Sequence, residues 1–249
     1  MVKKIFTSII GVLLFFILFF RSGIILDSIG IHFGNPFAKK LEVPSDYSQA
    51  DSNQNGIADP LDMVQTARKE VEQRTPYKSA YYAGGYPPDG EGVCTDVIWR
   101  GFQGADVTIK DLIDQDIAEN TDLYSRVQGK PDPNIDFRRV PNQNIFFSRF
   151  AKSLTTELIP GDVKNLQQWQ PGDIVVFLSP KFDHVAFISD KRTKDGIPYV
   201  IHNSTPFAAE VKLSSFKTPI TAHYRWDFEK NACTAIKQMQ AFFLLNKKV

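Results

Sequence analysis

Residues 169–203 read WQPGDIVVFLSPKFDHVAFISDKRTKDGIPYVIHN, and this stretch decides the fold class of the chain. A Pro-Gly-Asp turn leads into the apolar run 174–178, and the apolar runs 184–189 and 199–203 follow after short polar connections. Short apolar runs separated by turn residues are typical of strands joined as hairpins. The pattern therefore predicts an antiparallel sheet in an α+β domain.

Histidines occupy the second and third of these predicted strands. Side chains alternate between the two faces of a strand, so His184 shares a face with Ala186 and Ile188. Residues at the same height on adjacent antiparallel strands lie close together, and we expect His184 and His202 to be cross-strand neighbours. For His223, in the last predicted strand, we expect packing rather than chemistry.

A cysteine begins a predicted short helix, directly after a loop rich in glycine, proline and tyrosine at residues 81–92. A thiolate at a helix N-terminus faces unpaired backbone N–H groups and the positive end of the helix dipole, which lower the thiol pKa. A cysteine is usually a small buried apolar residue. Cys94 alone is therefore a weak indication of a catalytic site, and the histidines strengthen it.

The composition excludes several classes of protein. The 249 residues include 29 Lys and Arg and 28 Asp and Glu, so the net charge of +1 gives no support to nucleic-acid binding. A hydrophobic content of 43% is too high for a disordered chain. Two cysteines, Cys94 and Cys233, are too few for a disulfide scaffold. A bond between these two would remove the nucleophile, and we expect Cys94 to be free.

Residues 1–26 predict a signal anchor or transmembrane helix. Lys3 and Lys4 precede the uncharged run 5–20, and Arg21 interrupts the apolar stretch only near its end. A bilayer needs about 20 apolar residues, and no small-residue cleavage site follows, so an uncleaved anchor is favoured over a buried core helix. The lysines place the N-terminus in the cytoplasm. We expect a single-pass cell-membrane protein with an extracytoplasmic C-terminal domain, or a secreted protein if the signal is cleaved.

Residues 27–50 have the composition of a linker, and residues 51–62 resemble a calcium-binding loop. Calcium requires six or more oxygen ligands, which alternate residues of a tight loop can supply. The ligands would be Asp51, Asn53, Asn55, the carbonyl of Ile57, and Asp62. The alternative is a metal-free polar turn that begins the next helix. We favour a structural Ca²⁺ ion, and we expect no catalytic cofactor.

The predicted domain occupies residues 61–228. Apolar residues recur at helical spacing over 61–74, which predicts an amphipathic helix. Another helix follows Asn142 and carries three phenylalanines at core spacing. Residues 229–249 predict a C-terminal helix.

The order of these motifs resembles the NlpC/P60-like cysteine peptidase superfamily, and within it the DUF1287 family. A Pro-Tyr pair and a Gly-Gly pair precede Cys94, and a Pro-Gly-Asp turn precedes the strand before His184. The motifs of the DUF1287 branch are present as Cys-Thr-Asp at 94–96, Asp-Phe-Arg-Arg-Val at 136–140 and His-Tyr-Arg at 223–225. One departure concerns the nucleophile, because the superfamily usually has Asp-Cys-Ser where this chain has Val-Cys-Thr.

The resemblance implies a papain-like fold, with a helix-borne cysteine packed on an antiparallel sheet, and a cysteine hydrolase. Cys94 would attack an amide carbonyl, His184 would transfer the proton, and His202 or Asn203 would orient the imidazole. The backbone N–H of Cys94 and the hydroxyl of Tyr77 or Tyr82 would bind the oxyanion. The expected substrate-binding residues are Asp96, Arg138 and Arg139, with a salt-bridge cluster around Asp136 as the alternative.

The substrate class that the resemblance implies is bacterial peptidoglycan, cut at a peptide or amide bond. A different hypothesis is a catalytically silent module of the same fold that binds the cell wall or acts as a scaffold. A third is a zinc site formed by Cys94, His184 and His202. We expect peptidoglycan or another cell-wall peptide as partner, attachment to the bacterial membrane through the N-terminal helix, and no nucleic-acid partner.

Overall fold

The computed structural model describes residues 11, 23–32 and 38–230. The helices are α1 (Gly23–Ser28), α2 (Asp59–Glu72), α3 (Cys94–Gln103), α4 (Ile109–Glu119), α5 (Val140–Phe150) and α6 (Val163–Leu166). Short 3-10 helices cover Thr121–Leu123, Ser125–Val127, Asp136–Arg138 and Leu213–Ser215. The helix predicted over 61–74 is confirmed as α2, which begins two residues earlier because Pro60 suits the first turn of a helix.

An antiparallel sheet forms the centre of the domain and confirms the predicted α+β class. Its strands are β1 (Lys152–Ser153), β2 (Ile174–Ser179), β3 (Phe182–Arg192), β4 (Pro198–Asn203), β5 (Ala208–Lys212) and β6 (Ala222–Arg225). Their order across the sheet is β1-β6-β2-β3-β4-β5. The strand predicted over 184–189 is longer in the structure, because its charged end continues to Arg192, which pairs with Pro198 after a shift of register.

The two faces of the sheet carry separate hydrophobic clusters. On the first face, Val176 and Phe187 pack with α3 and α5 in the larger cluster. On the second face, Val175 and Phe177 pack with Trp169 and with residues of β4 and β5. Because both faces are covered, β2 is an almost continuous apolar run rather than an alternating one.

Helix α3 crosses the first face at close range. A Cβ atom added at Gly101 would overlap the Phe187 ring, and one added at Gly104 would overlap Thr66 of α2. Glycine at these positions therefore lets α3 approach both β3 and α2. This close packing places the N-terminus of α3 next to the N-terminal end of β3.

Most of the predicted membrane helix, residues 1–10 and 12–22, lies outside the described residues. In the part of the chain that is described, no helix has the length and apolar character needed to cross a bilayer. Helix α1 packs against β5, where the buried Asp27 carboxylate accepts hydrogen bonds from the Ser215 hydroxyl (2.5 Å) and the Lys212 backbone N–H (3.3 Å). Asp27, the first residue of the predicted linker, is thus attached to the domain. The predicted C-terminal helix lies, from residue 231 onward, outside the described residues.

Candidate active site

A carboxylate three residues into α3 fixes the start of this helix. The Asp96 side chain accepts hydrogen bonds from the backbone N–H of Val93 (2.8 Å) and from the indole N–H of Trp99 (3.0 Å). The first bond satisfies a backbone donor that precedes the helix, as in a capping box. Cys94 is consequently the first residue of α3, as the sequence predicted.

The Cys94 thiol is buried, with only 7% of the residue exposed. Burial raises the pKa of the thiol to about 12, and the negative charge of Asp96 acts in the same direction. The backbone N–H groups of Val185, Thr95 and Cys94 itself oppose this effect. The expectation of a lowered thiol pKa was therefore wrong for this conformation. A helix N-terminus contributes about 0.3–1 kcal/mol, whereas full burial can move a pKa by about 3–5 units.

The imidazoles of β3 and β4 form a hydrogen-bonded pair. His184 Nε2 lies 3.0 Å from His202 Nδ1, and the ring planes are close to perpendicular, at 82°. The expected cross-strand contact between these residues is thus confirmed. Burial, followed by the proximity of His202, holds the pKa of His184 well below its usual range, and burial lowers the pKa of His202 to about 4. Both rings are neutral at neutral pH.

The thiol and the imidazole pair lie at the same end of β3. The Cys94 sulfur faces the backbone N–H of Val185, the residue that directly follows His184. Cys94 approaches from the helical layer of the first face, whereas the imidazole rings contact Phe216 of the second cluster, at 5.6 Å for His184 and 5.2 Å for His202 between ring centres. The close approach of the sulfur to the His184 ring itself stays a prediction.

The side chain of Asn203 makes different contacts from that of His202. Its Nδ2 donates to the carbonyl oxygens of Thr75 (3.1 Å) and Gly92 (3.2 Å). These two carbonyls stand at opposite ends of the loop that precedes Cys94. Asn203 therefore closes the base of the loop, and His202 is the residue that contacts the His184 imidazole.

Of the two tyrosines expected at the oxyanion, Tyr77 is the one that interacts electrostatically with the Cys94 thiol. Tyr77 is 40% exposed, and burial together with the charges of Cys94 and Asp96 raises the pKa of its hydroxyl. Tyr82 instead donates its hydroxyl to Glu91 (2.7 Å) and stacks over the Arg138 guanidinium. Tyr77 is thus the candidate oxyanion donor of the two, because its hydroxyl is partly exposed and interacts electrostatically with the thiol.

The charged residues expected to bind substrate are paired with other groups of the protein. Arg138 Nε and Nη2 each donate to the Asp96 carboxylate at 2.7 Å, and both residues are buried. Arg139 donates to the Arg126 carbonyl (2.7 Å) and forms an ion pair with Asp136 (3.1 Å). This arrangement matches the salt-bridge alternative that the sequence left open.

His223 belongs to a second polar cluster behind the Pro-Gly-Asp turn. Its ring stacks on Trp169 at 4.1 Å, Nε2 lies 3.1 Å from Asp173, and Nδ1 lies 2.8 Å from the Thr155 carbonyl. Arg225 also donates to both oxygens of Asp173 (2.7 and 2.9 Å). Sequence reasoning missed that Asp173 unites the Pro-Gly-Asp and His-Tyr-Arg motifs, although the presence of both motifs was the available signal.

The predicted calcium loop is closed by hydrogen bonds of its own. Asp62 accepts from the amides of Asn53 (3.1 Å) and Asn55 (3.0 Å), and Asp51 accepts from the backbone N–H groups of Asn55 (3.0 Å) and Gly56 (2.9 Å). The carbonyl of Ile57 and the Ca²⁺ ion stay a prediction. Among the described residues, no group of three or more His, Cys, Asp or Glu side chains is placed to hold a metal ion. Cys94, His184 and His202 therefore do not form the zinc site of the third hypothesis in this conformation.

Cys94 is a free thiol. Cys233, the other cysteine of the chain, lies outside the described residues. The nucleophile that the sequence predicts is thus available as a thiol in this structure.

Comparisons with known proteins agree with these motifs. The family model described as "Domain of unknown function (DUF1287)" matches residues 64–226. The chain is 33% identical to "Uncharacterized protein YijF" of Escherichia coli (strain K12) over 213 residues, covering 83% of this chain and 98% of that protein. No solved structure matches the chain significantly. The family match covers the helix of Cys94 and every strand from β1 to β6, and on this basis the chain belongs to the DUF1287 family.

Proposed function

We propose that this chain is an extracytoplasmic cysteine hydrolase of the NlpC/P60-like type, which cleaves peptide or amide bonds in the stem peptides of peptidoglycan. The N-terminal segment would hold it at the bacterial membrane. One observation carries the proposal: the Cys94 sulfur lies against the backbone of Val185, directly after His184, whose imidazole is hydrogen-bonded to His202. A nucleophile, a base and an orienting group are the parts that covalent acyl transfer requires.

The resting protonation states determine how such a reaction would begin. The Cys94 thiol holds its proton because its pKa is raised to about 12, and the pKa of His184 is lowered. The neutral imidazole of His184 would accept the thiol proton while the sulfur attacks the carbonyl carbon, so that proton transfer accompanies attack. His184 would return this proton to the leaving amine, and water would then hydrolyse the thioester with His184 again as base.

The tetrahedral intermediate needs donors for its oxyanion. The backbone N–H of Cys94 stands at the start of α3, where it has no partner within the helix. The Tyr77 hydroxyl, which interacts electrostatically with Cys94 and is partly exposed, would be the second donor. Loss of one such donor typically lowers the rate by about 100 to 1,000-fold.

Turnover of purified muropeptides by the detergent-solubilised full chain tests the proposal. We expect new amine and carboxylate termini by mass spectrometry with the native protein and none with Cys94→Ala. Arg149→Gln is a matched control, because Arg149 pairs with Asp116 on α4 and is not part of the site. Equal turnover by the native and Cys94→Ala proteins would refute the hydrolase.

The second candidate is a catalytically silent cell-wall-binding or scaffold module of the same fold. The burial of Cys94 and the raised pKa of its thiol favour it, because they describe an unreactive cysteine. Binding of muropeptides without any product, and with equal affinity for the native and Cys94→Ala proteins, would select this candidate.

A further inference from the structure

Arg138 is the hub of a buried network beside Cys94. It donates two hydrogen bonds to Asp96 and a third, at 2.7 Å, to the carbonyl of Ala80, the residue directly before the loop 81–92. Its guanidinium also lies 5.0 Å from the centre of the Tyr82 ring. Only 6% of Arg138 and none of Asp96 is exposed, so a substrate carboxylate cannot reach this pair without displacing it.

The segment 138–143, which contains Arg138, also contacts the first turn of α3 through Thr95. The Thr95 hydroxyl donates to the Arg138 carbonyl (2.9 Å), and Gln143 of α5 donates to the Thr95 carbonyl (3.4 Å). Both residues that follow Cys94 are thereby held by residues 138–143. The Cys-Thr-Asp motif and the Asp-Phe-Arg-Arg-Val motif are thus joined directly by hydrogen bonds.

We propose that Arg138 is a positioning residue for the Cys94 nucleophile. Acting through Asp96, it fixes the first turn of α3 and cancels the carboxylate charge next to the thiol. This inference rests on the proposed function for its catalytic meaning. It replaces the expectation that Arg138 binds substrate.

The charges around the thiol predict the direction in which its pKa moves when Arg138 or Asp96 is replaced. Asp96 on its own helix and Tyr77 on the preceding loop interact electrostatically with Cys94, whereas the neutral imidazoles of His184 and His202 contact Phe216 on the second face of the sheet. The charge of Asp96 raises the pKa of the Cys94 thiol. In a variant without Arg138, the negative charge of Asp96 is uncompensated. In a variant without Asp96, the positive charge of Arg138 is uncompensated.

Alkylation of Cys94 by iodoacetamide as a function of pH tests the inference in the full chain. The Cys233→Ala background leaves Cys94 as the one remaining thiol of the two in the sequence. We expect Arg138→Gln to move the profile to higher pH, with alkylation about tenfold slower at a fixed pH below the thiol pKa, since one pKa unit is a factor of ten in thiolate. We expect Asp96→Asn to move it to lower pH, and the double variant to return close to the native profile.

Two further variants separate positioning from damage to the fold. Arg149→Gln removes another two-bond Arg–Asp pair, with Asp116, and should lower the unfolding temperature without moving the profile. Arg138→Lys keeps the charge but not the two-bond geometry, so we expect a native profile with a lower kcat and an unchanged KM. If Arg138→Gln does not fold, the shift of the Asp96→Asn profile to lower pH and the reversal of this shift in the double variant still decide the question.

The inference and the proposed function fail in different ways. Alkylation needs no turnover, so the opposed shifts would stand even if muropeptides were not cleaved. Unmoved profiles in both single variants, together with a raised KM only for substrates that carry a free carboxylate, would overturn the positioning role. That result would make Arg138 a substrate-binding residue and would leave the hydrolase intact.

Discussion

Two buried histidine sites lie on the second face of the same sheet, and they differ in how their nitrogens are satisfied. Both ring nitrogens of His223 face oxygen acceptors, and its ring stacks on Trp169. His184 and His202 instead share a hydrogen bond with each other, and His202 Nε2 has no hydrogen-bond partner among the described residues.

The difference indicates which site has a structural role and which could act as a base. Buried polar groups are normally hydrogen-bonded, so an exception needs an explanation in structure or in function. The His223 ring is held between Asp173 and the Thr155 carbonyl and stacks on Trp169, which favours a structural role. His202 Nε2 has no hydrogen-bond partner in the part of the chain that the structure describes, which favours a role as base for the imidazole pair.

The largest expected effect separates the two sites by activity. His184→Gln should lower kcat/KM for muropeptides by about 10² to 10⁴-fold, because general base catalysis contributes that much. His223→Gln should instead cost about 1–3 kcal/mol of unfolding free energy, because it weakens contacts to the buried Asp173, and should leave kcat/KM per folded molecule unchanged. Urea unfolding and steady-state kinetics on both variants check this. Equal losses of kcat/KM in the two variants would contradict the assignment of His184 as base and His223 as a structural residue.

The next effect concerns the orienting role of His202. His202→Gln should lower kcat by about 10²-fold, the typical cost of a misplaced catalytic group, because the His184 ring loses its partner. Asn203→Ala should instead raise the rate of proteolysis within the loop 76–92, because the loop loses its attachment to β4. Kinetics and limited proteolysis distinguish them. A larger kinetic loss in Asn203→Ala would reverse the two assignments.

A third effect is the response of stability to acid. The pKa of His202 is about 4 in the fold and about 6.5 in the unfolded chain, so between these values the unfolded chain binds more protons. Stability should therefore be complete above pH 6.5 and fall by about 3 kcal/mol from this residue as the pH drops to 4, with a further loss from His184. Urea unfolding from pH 7.5 to 4 measures it. His202→Gln should reduce the slope, and an unchanged slope would contradict the burial of a neutral imidazole.

The sequence predicted the local features of the fold and site well. The apolar runs around His184 and His202 gave the central strands, and the loop before Cys94 gave the start of α3, because spacing along the chain controls local structure. The sequence could not predict that Arg138 binds Asp96 or that His223 and Arg225 bind Asp173. These pairs are separated by 42, 50 and 52 residues, so the topology of the sheet decides them. The direction of the Cys94 pKa shift was missed for the same reason, since burial depends on the packing of α3.

The smallest expected effect applies the same comparison to the loop 51–62. Like the groups around His223, its polar groups already bond one another, with Asp62 accepting from Asn53 and Asn55. If the loop also binds Ca²⁺, these amides must turn so that their oxygens face the ion.

At a calcium concentration of 100 times Kd, binding stabilises the fold by about 2.7 kcal/mol, which raises the unfolding temperature by about 5–10 °C. Calorimetry of the full chain with CaCl₂ or with EDTA measures this shift. Asp62→Asn should abolish it, whereas Asp89→Asn, an exposed loop position outside 51–62, should not. An unfolding temperature that is the same in CaCl₂ and in EDTA would make the loop a metal-free turn held by its own hydrogen bonds.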